Sequence, residues 1–374
     1  HQRRSEYPQA IDYLNRALEK IKDKSAHLER ASIYRDMGWV HYLLGKFDVA
    51  KSYCDKALHE LDKVDDKKEA NLSRARIYNI LASIAGRTGK IKDAYEYYMK
   101  AQKIYEEAND LAGLGTIYNN IVGYFASQGD YLKSIEYLKK ALEIDKKIGN
   151  ALGEAIVNYN LGEEYLNLGE LELAKKHLDR YQELNKLIHN RLGEGWAHEG
   201  YCEWYMLQDN FEEALRCINT SIEIFKELGS KIKEIDAKSI KADLLVDMER
   251  YDEAESLLKE VEEYATKTGV HYILIGVQIT KGKIALKKGE LEKAKSYFIE
   301  AEKLIKQSES ISGLHEVYYY LGEVYEKLGD KAKSHEYYTR AKEILDEITK
   351  KISEENLRKS YLNKPLNKKI LSKV

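Results

Sequence analysis

The feature that most constrains this chain is a turn-forming residue that recurs at a fixed interval. Seven positions follow one another in steps of 40 residues: Gly89, Gly129, Gly169, Asp209, Glu249, Gly289 and Gly329. The series extends upstream to Gly45 by one step of 44 residues, and to Ser5 by another step of 40. A period in this range is typical of a solenoid, in which each repeat is one supersecondary unit stacked on its neighbours. The chain is therefore predicted to present a long repetitive surface rather than one catalytic pocket.

Composition favours helices throughout the chain. Pro8 and Pro365 are its two prolines, so the strongest helix breaker is missing from the long stretch between them. With 33% charged and 43% hydrophobic residues, that stretch reads as one amphipathic helix after another. A net charge of -2, from 61 basic and 63 acidic residues, gives no bias toward nucleic acid or a membrane surface.

The cysteines and the lack of catalytic motifs narrow the function further. Cys54, Cys202 and Cys217 form no CxxC pair, which is typical of buried thiols in a reducing compartment, and we expect a cytoplasmic protein. No apolar run approaches the roughly 18 residues of a membrane span. No GxxxxGK[ST], HExxH or GxSxG motif occurs and the histidines are scattered, so we predict no enzyme, no metal site and no cofactor.

Small residues recur in register with the turns. Five positions after each turn comes alanine or serine, as in Ala50 and Ser334, and seven positions before it glycine is common, as in Gly38 and Gly322. Glycine in a helix interior costs about 1 kcal/mol relative to alanine, so its repetition needs a compensating close approach of two helices. Each unit is therefore predicted to consist of helix A, a short turn and helix B.

This pattern resembles the tetratricopeptide repeat. The matching residues include Leu161, Gly162 and Tyr165 before the turn at Gly169, with Ala174 after it, and the pattern returns in the last repeat. The usual repeat has about 34 residues, and the longer repeats here resemble Leu-Gly-Asn repeat scaffolds, Rap-type peptide receptors and the helical regions of regulatory ATPases. The resemblance implies an all-α fold: a right-handed superhelix, or α-solenoid, of about eight repeats whose helices A line the concave face.

The register divides the chain into four parts. Residues 1–30 are predicted to hold helix B of a truncated first repeat that begins at Ser5, and residues 31–345 eight complete repeats. Residues 346–362 are predicted to form a capping helix, because a solenoid needs a polar terminal face. Residues 363–374 are expected to be a basic tail, either a solvated end or a segment that docks in an acidic groove. The four additional residues of the 44-residue step are placed in the loop around Asp62 to Ala70.

The candidate binding surface is one stripe of helix A. Positions 13, 10, 6 and 3 before each turn fall on one helix face, and asparagines nine residues before two of the turns extend it. The stripe is basic and rich in amides toward the N-terminus, and acidic and aromatic toward the C-terminus, although each member has the alternative role of a solvated or packing residue. The candidate ligand-binding residues are Arg35, Trp39, Arg76, Asn79, Asn119, Asn120, Tyr159, Asn160, Glu163, Trp196, Glu199, Glu203, Asp236 and Asp243.

These features predict a protein- or peptide-binding module that belongs to a larger regulatory or scaffold protein. Amides of the stripe can bond the backbone of an extended peptide, whose basic residues would lie toward Glu199 and Glu203. The alternative is a ligand-gated switch, in which a peptide compresses the superhelix and acts on a tethered effector domain. Self-association through the truncated N-terminal helix is a third option, and no nucleic-acid or membrane partner is expected.

Overall fold

The computed structural model describes residues 2–21, 23 and 25–374, with side chains from residue 7 onward. Helices form nearly all of this part of the chain, and it contains no strand. In chain order the helices are α1 (Gln2–Lys20), α2 (His27–Leu43), α3 (Phe47–Leu61), α4 (Lys67–Arg87), α5 (Ile91–Ala108), α6 (Leu111–Asn120), α7 (Val122–Ser127), α8 (Tyr131–Ile148), α9 (Ala151–Leu168), α10 (Leu171–Leu187), α11 (Arg191–Met206), α12 (Phe211–Glu227), α13 (Lys231–Asp247), α14 (Tyr251–Thr268), α15 (His271–Lys287), α16 (Leu291–Gln307), α17 (Leu314–Lys327), α18 (Lys331–Lys351), α19 (Glu355–Leu362) and α20 (Pro365–Lys373).

Eight helical hairpins follow the first helix, and we number them as repeats 1 to 8. Each repeat packs a helix A against a helix B, and each helix B packs against helix A of the next repeat. The helices A are α2, α4, α6 with α7, α9, α11, α13, α15 and α17, and the helices B are α3, α5, α8, α10, α12, α14, α16 and α18. The predicted all-α solenoid of eight repeats is confirmed.

A residue with positive φ ends nearly every helix of the solenoid. All the predicted turn residues from Gly45 onward have this conformation, including Asp209 (φ 57°) and Glu249 (φ 59°), which are not glycine. Halfway between them lies a second series, in the loops that join one repeat to the next: Asn109, Gly149, His189, Gly229, Gly269 and Glu309. Left-handed residues therefore recur every 20 residues from position 89 to position 329.

The left-handed residues recur because each of these helices ends in the same kind of hydrogen-bonded turn. A left-handed residue turns the chain so that its own N–H and the next one bond the last free carbonyls of the helix. Gly169 shows this, because its N–H donates to the carbonyl of Leu166 while the N–H of Glu170 donates to that of Tyr165. The turn predicted at Ser5 is not found, since that residue lies inside α1, which begins upstream of it.

Glycine at the seventh position before a turn lets the two helices of a repeat approach closely. At Gly38 of α2, a Cβ atom would lie 3.2 Å from the carbonyl oxygen of Ala50 and 2.9 Å from Sγ of Cys54, both in α3. At Gly322 of α17, it would lie 2.6 Å from ring carbons of Tyr338 in α18. The close approach inferred from the small residues is therefore confirmed.

The long loop lies where it was predicted, whereas the C-terminal boundaries differ. Helix α3 ends at Leu61 and α4 begins at Lys67, so the additional residues of the 44-residue step extend this loop. At the other end α18 continues to residue 351, and α19 takes the place of the single capping helix over 346–362. Residues 363–374 are not a free basic tail, because Pro365 starts α20, which packs on α18 and buries Asn367 and Ile370.

The superhelix closes on itself. The turns of the early repeats contact the chain from Thr268 onward, and we call this line of contact the seam. Gly45 lies against Thr268, and Gly89 lies against the imidazole of His271. The seam therefore brings repeats 1 and 2 against the junction of repeats 6 and 7.

Hydrogen bonds continue the seam along repeat 3. The backbone carbonyl of Ser127 accepts from the N–H groups of Ile311 (2.9 Å) and Ser312 (3.1 Å). Nζ of Lys351 donates to the carbonyl of Gln128 at 2.6 Å. Two of the apolar clusters accordingly contain buried residues of both early and late repeats.

Candidate functional site

The inner face of the superhelix is formed by the helices A. Helix α2 contacts α4, α9 contacts α11, α13 contacts α15, and α15 contacts α17. Side chains at equivalent positions of neighbouring repeats therefore meet, as when Nζ of Lys283 donates to Oδ1 of Asp243 at 3.0 Å. The predicted stripe can accordingly be followed from repeat to repeat along this face.

Four of the predicted asparagines form an amide ladder. Nδ2 of Asn160 donates to Oδ1 of Asn119 at 2.8 Å. Nδ2 of Asn119 donates to Oδ1 of Asn120 at 3.1 Å, and Nδ2 of Asn120 donates to Oδ1 of Asn79 at 3.0 Å. The ladder joins repeats 2, 3 and 4. Because a primary amide has two donor hydrogens and two acceptor lone pairs, its members keep capacity for a ligand.

Repeats 4 and 5 bring together three glutamates and two aromatic rings. We call Glu163, Glu199 and Glu203 the acidic cluster. The charges of all three act on the hydroxyl of Tyr159, whose ring centroid lies 6.0 Å from that of Trp196. Glu199 is 5% exposed, and its Oε1 has no hydrogen-bond partner among the described residues. The site thus holds a buried carboxyl group, that of Glu199, with one oxygen that has no hydrogen bond in the described part of the chain.

Burial raises the pKa of each carboxyl group in the acidic cluster. Burial raises the pKa of Glu163 to about 8, and the charge of Glu203 adds to the effect. The pKa of Glu203 rises to about 7 through burial, against the attraction of Lys364. For Glu199, burial raises the pKa well above its ordinary value although Lys233 lowers it. Carboxyl groups in this condition gain most from a cation brought by a ligand.

The two predicted aspartates are already paired. Asp236 accepts a hydrogen bond from the hydroxyl of Tyr272 at 2.6 Å. Asp243 accepts from Lys283, which also forms an ion pair with Glu316 at 2.8 Å. Burial opposes the charge of Lys283, but the two carboxylates outweigh it and raise its pKa. The aspartates are therefore less available to a ligand than the acidic cluster.

The three predicted residues nearest the N-terminus form no described hydrogen bond or ion pair with the amide ladder, the acidic cluster or the two aspartates. Arg35 pairs with its chain neighbour Asp36 at 2.7 Å. Trp39 is 43% exposed and stacks on Tyr42, with ring centroids 5.2 Å apart. Arg76 is exposed. Their part in ligand binding stays a prediction.

A cavity of about 670 Å³ opens between the early and middle repeats. Its wall includes Tyr42 and Phe47 of repeat 1, Arg87 of repeat 2, and Trp196 and Lys233 of repeats 5 and 6. Nζ of Lys233 lies 4.8 Å from the centroid of the Trp196 ring. The volume falls within the range of about 300–1,000 Å³ that is typical of ligand pockets. The cavity therefore has room for a ligand beside Trp196, while the acidic cluster and the amide ladder lie outside its lining.

Two cations of the inner face, Arg87 and Lys283, were not predicted from the sequence, and Lys364 was predicted only as part of the basic tail that could dock in an acidic groove. Lys283 carries a usable signal, since it lies six residues before Gly289, in the same register as Glu203. Arg87 carries none. Arg87 reaches its partner, and Lys364 reaches the interior, only because the superhelix closes on itself.

Groups typical of metal or membrane chemistry are missing from the described part of the chain. No set of three or more His, Cys, Asp and Glu side chains there is placed to hold a metal ion. Cys54 is a buried free thiol whose pKa burial raises to about 12. No described helix is both long and apolar enough to cross a membrane. Charge, amides and aromatic rings are what the inner face offers for recognition.

Fold and inner face together define an α-solenoid of helical hairpins with a polar inner face. The particular hairpin is the tetratricopeptide repeat: one profile of this family matches residues 73–147 and 113–186, and two others match residues 275–308 and 315–347. Residues 73–186, 275–308 and 315–347 thus contain tetratricopeptide repeats, as the spacing predicted. No curated protein sequence gives a significant match.

Solved structures of the same fold include several Rap proteins. The Rap conjugation gene regulator of the plasmid pLS20, in complex with the Phr* peptide, is 16% identical at a TM-score of 0.63, with 93% of this chain and 99% of that chain covered. A Rap protein complexed with competence and sporulation factor is 13% identical at 0.62, covering 86% and 99%. The apo form of RapI is 19% identical at 0.53, covering 74% and 99%. At these identities the likeness concerns the fold.

Proposed function

We propose that this chain is a peptide-binding module that receives an extended peptide along its inner face and a cationic side chain of that peptide at the acidic cluster. The observation that carries the proposal is the carboxyl group of Glu199, which is 5% exposed and has one oxygen without a hydrogen-bond partner among the described residues. A buried polar group in that condition costs roughly 1–3 kcal/mol. An ammonium or guanidinium group of a ligand would supply the missing partner.

The aromatic rings favour the same ligand. The indole N–H of Trp196 has no hydrogen-bond partner among the described residues, and as a donor it would suit a carbonyl group of the peptide backbone. A cation over the face of a tryptophan gains about 0.5–2 kcal/mol, and more as the site is desolvated. Lys233 lies over this ring at 4.8 Å, so the ring is accessible to a positive charge. Cluster and rings together support a peptide side chain that ends in a cation.

The amide ladder supports binding of the peptide backbone. Its four asparagines belong to repeats 2, 3 and 4, and the acidic cluster begins in repeat 4. Side-chain amides can bond peptide N–H and C=O groups whatever side chains the peptide carries. The ladder would therefore hold the peptide backbone along the inner face. The acidic cluster would determine which residue of the peptide lies at repeats 4 and 5.

The similar structures support a peptide as the class of ligand. One contains the Phr* peptide and another contains competence and sporulation factor. We transfer to this chain only the peptide nature of the ligand. Its role would be binding within a larger regulatory or scaffold system rather than catalysis.

A random peptide library displayed on phage tests the proposal. Selection with the wild-type chain should enrich peptides that carry lysine or arginine at one fixed position. The Glu199→Gln/Glu203→Gln variant should lose that enrichment. Glu263→Gln, which removes an exposed glutamate of α14, should retain it. Unchanged enrichment in the double variant would contradict the assignment of the acidic cluster.

A second candidate function is a ligand-gated switch, and the seam is the observation that favours it. Loop-to-loop hydrogen bonds, such as those that Ser127 accepts, join repeats that are far apart in the chain. A ligand that binds the closed superhelix more tightly than an open one would shift the population between them. Small-angle scattering from the free and peptide-bound chain separates the two functions: a switch changes its radius of gyration, and a scaffold retains it.

A further inference from the structure

The cavity beside Trp196 combines an apolar wall with a group of cations. The turn of repeat 1 and the two loops that join repeats 4 to 5 and 5 to 6 border it. The apolar side chains of its wall include Leu43, Phe47, Leu192, Leu228 and Ile232. Four basic residues and one acidic residue also line it: Arg87, Arg191, Lys231, Lys233 and Glu227. A cavity of this composition favours a ligand that has both an apolar group and a negative charge.

Three of the four cations already pair with carboxylates. The pairs are Arg191 with Glu194 (2.6 Å), Lys231 with Glu260 (2.6 Å) and Lys233 with Asp236 (3.2 Å). Glu227, the acidic residue of the wall, lies 3.4 Å from Arg191 and so does not pair with Arg87. Arg87 is the lining cation without an ion pair among the described residues.

The guanidinium group of Arg87 has uncharged partners. Its Nη1 donates to the hydroxyl of Tyr272 at 2.6 Å, and its Nε donates to that of Tyr42 at 3.5 Å. Its Nη2 takes part in no described hydrogen bond. Arginine has five N–H donors in a planar fork that matches a carboxylate, and charge-assisted hydrogen bonds are roughly twice as strong as neutral ones. A carboxylate of a ligand would therefore be a better partner for Nη2 than any described group.

The carboxylate of Asp236 does not fill this role. It accepts from the hydroxyl of Tyr272 at 2.6 Å and pairs with Lys233 at 3.2 Å. Two cations thus share Asp236: Lys233 directly, and Arg87 through one intervening hydroxyl. The Arg87 side of the cavity consequently keeps capacity for an anion.

We propose that the cavity binds the C-terminal residue of the peptide, with its carboxylate on Arg87 and its apolar side chain on the apolar wall. This inference rests on the proposed function. A terminal residue presents both groups at once, whereas an acidic side chain would leave the apolar wall unused. The ring of Trp196 lines the cavity and lies 6.0 Å, between centroids, from that of Tyr159 beside the acidic cluster, so the two sites adjoin.

N-acetylleucine serves as the probe, because it carries a terminal carboxylate and an apolar side chain but no cation. N-acetylleucinamide lacks the charge, and the α-amide of N-acetylglutamate has its carboxylate on the side chain. The indole N–H resonance of Trp196 in the ¹⁵N-labelled chain, identified by its loss in Trp196→Phe, reports binding. We expect N-acetylleucine to bind the wild-type chain at least about tenfold more tightly than either other compound.

Variants test the part of Arg87. We expect Arg87→Met to bind N-acetylleucine no better than N-acetylleucinamide, and Arg87→Lys, which keeps the charge without the fork, to retain part of the preference. The matched control Arg216→Met removes an arginine of α12 whose side chain is 74% exposed, and it should retain the full preference. Circular dichroism checks that the variants are folded. If Arg87→Met is not, the comparison of the three compounds on the wild-type chain decides.

The outcomes separate this inference from the proposed function. Equal affinity of the wild-type chain for N-acetylleucine and its amide would overturn the carboxylate site, and an undiminished preference in folded Arg87→Met would overturn the role of Arg87. Equally tight binding of the glutamate compound would overturn the assignment to a terminal residue. If the peptide library still enriches a basic residue in these cases, the inference fails alone. If that enrichment is missing as well, both proposals fail.

Discussion

Nη1 of Arg87 donates a hydrogen bond of 2.6 Å to the hydroxyl of Tyr272, although 185 residues separate them. That hydroxyl in turn donates to Oδ1 of Asp236 at 2.6 Å. The relay joins repeat 2 to repeats 6 and 7 across the seam, and Arg87 also lines the cavity. Closure of the superhelix and the composition of its interior are therefore linked through the same side chains.

The Arg87–Tyr272 contact should contribute measurably to stability. A hydrogen bond to a charged group contributes roughly 1.5–3 kcal/mol. In a double-mutant cycle of Arg87→Met and Tyr272→Phe, followed by urea unfolding, we expect a coupling energy of about 1–2 kcal/mol. Tyr13→Phe is the control, because that ring is 67% exposed, and it should change little. A coupling energy near zero would show that this contact does not hold the closed form.

Glu249 should be replaceable by glycine with a gain in stability. Its φ of 59° lies in the left-handed region, which costs a residue with a Cβ roughly 1–2 kcal/mol and costs glycine little. We expect Glu249→Gly to raise the free energy of unfolding by about 1 kcal/mol. The matched change Glu263→Gly, in the interior of α14, should lower it by a similar amount. Denaturant unfolding of both variants checks this, and destabilisation by Glu249→Gly would refute it.

Two helical glycines should respond oppositely to alanine. At Gly322 a Cβ atom would lie 2.6 Å from the ring of Tyr338, so Gly322→Ala must push α17 away from α18. We expect a loss of about 1–3 kcal/mol, as for overpacking in general. At Gly86 nothing lies within 4 Å of the same atom, and Gly86→Ala should gain about 1 kcal/mol from helix propensity. Thermal unfolding of the two variants measures the difference, and equal melting temperatures would argue against close helix contact.

The buried glutamates should make the protein less stable as the pH rises from about 7 to about 8. Burial raises the pKa of Glu163 and Glu164 to about 8 and that of Glu203 to about 7. In this window the unfolded chain has already ionised them while the native chain still binds protons, so each rise in pH lowers the stability until the native carboxyl groups have ionised as well. His177 and His315, whose pKa burial lowers to about 4, are neutral in the native chain throughout the window.

Urea unfolding at the two pH values measures this effect. Glu163→Gln/Glu203→Gln should flatten the pH dependence, because the native chain then has fewer protons to lose. Glu263→Gln, on the outer surface, should leave it unchanged. Stability that rises across the window would be incompatible with raised pKa values in the acidic cluster.

The hairpins could be predicted because their cause is local. Each turn needs a left-handed residue, and glycine marks most of the positions in the 40-residue series. The second series could not be predicted because Asn109, His189 and Glu309 take the same left-handed conformation although they are not glycine. The register of helix A in turn indicated which residues share the inner face, including the four asparagines of the ladder.

Closure of the superhelix could not be predicted in the same way. It results from small rotations that accumulate over successive repeat interfaces, and no periodic signal in the sequence records their sum. Arg87 and Lys364 acquire their roles only through that closure. The end of the chain was predicted as a capping helix over 346–362 and a basic tail over 363–374, but the apolar side chains of Tyr361 and Ile370 decide its packing.

Whether the acidic cluster binds the cation of a peptide can be measured with a double-mutant cycle across the complex. Titration calorimetry would measure the binding free energy of two peptides: one selected from the library, and the same peptide with norleucine in place of its basic residue. Each peptide would be titrated into the wild-type chain and into Glu199→Gln. We predict a coupling energy of at least about 1.5 kcal/mol, as for close charge pairs at other interfaces. A coupling energy of zero in a complex that still forms would contradict the account.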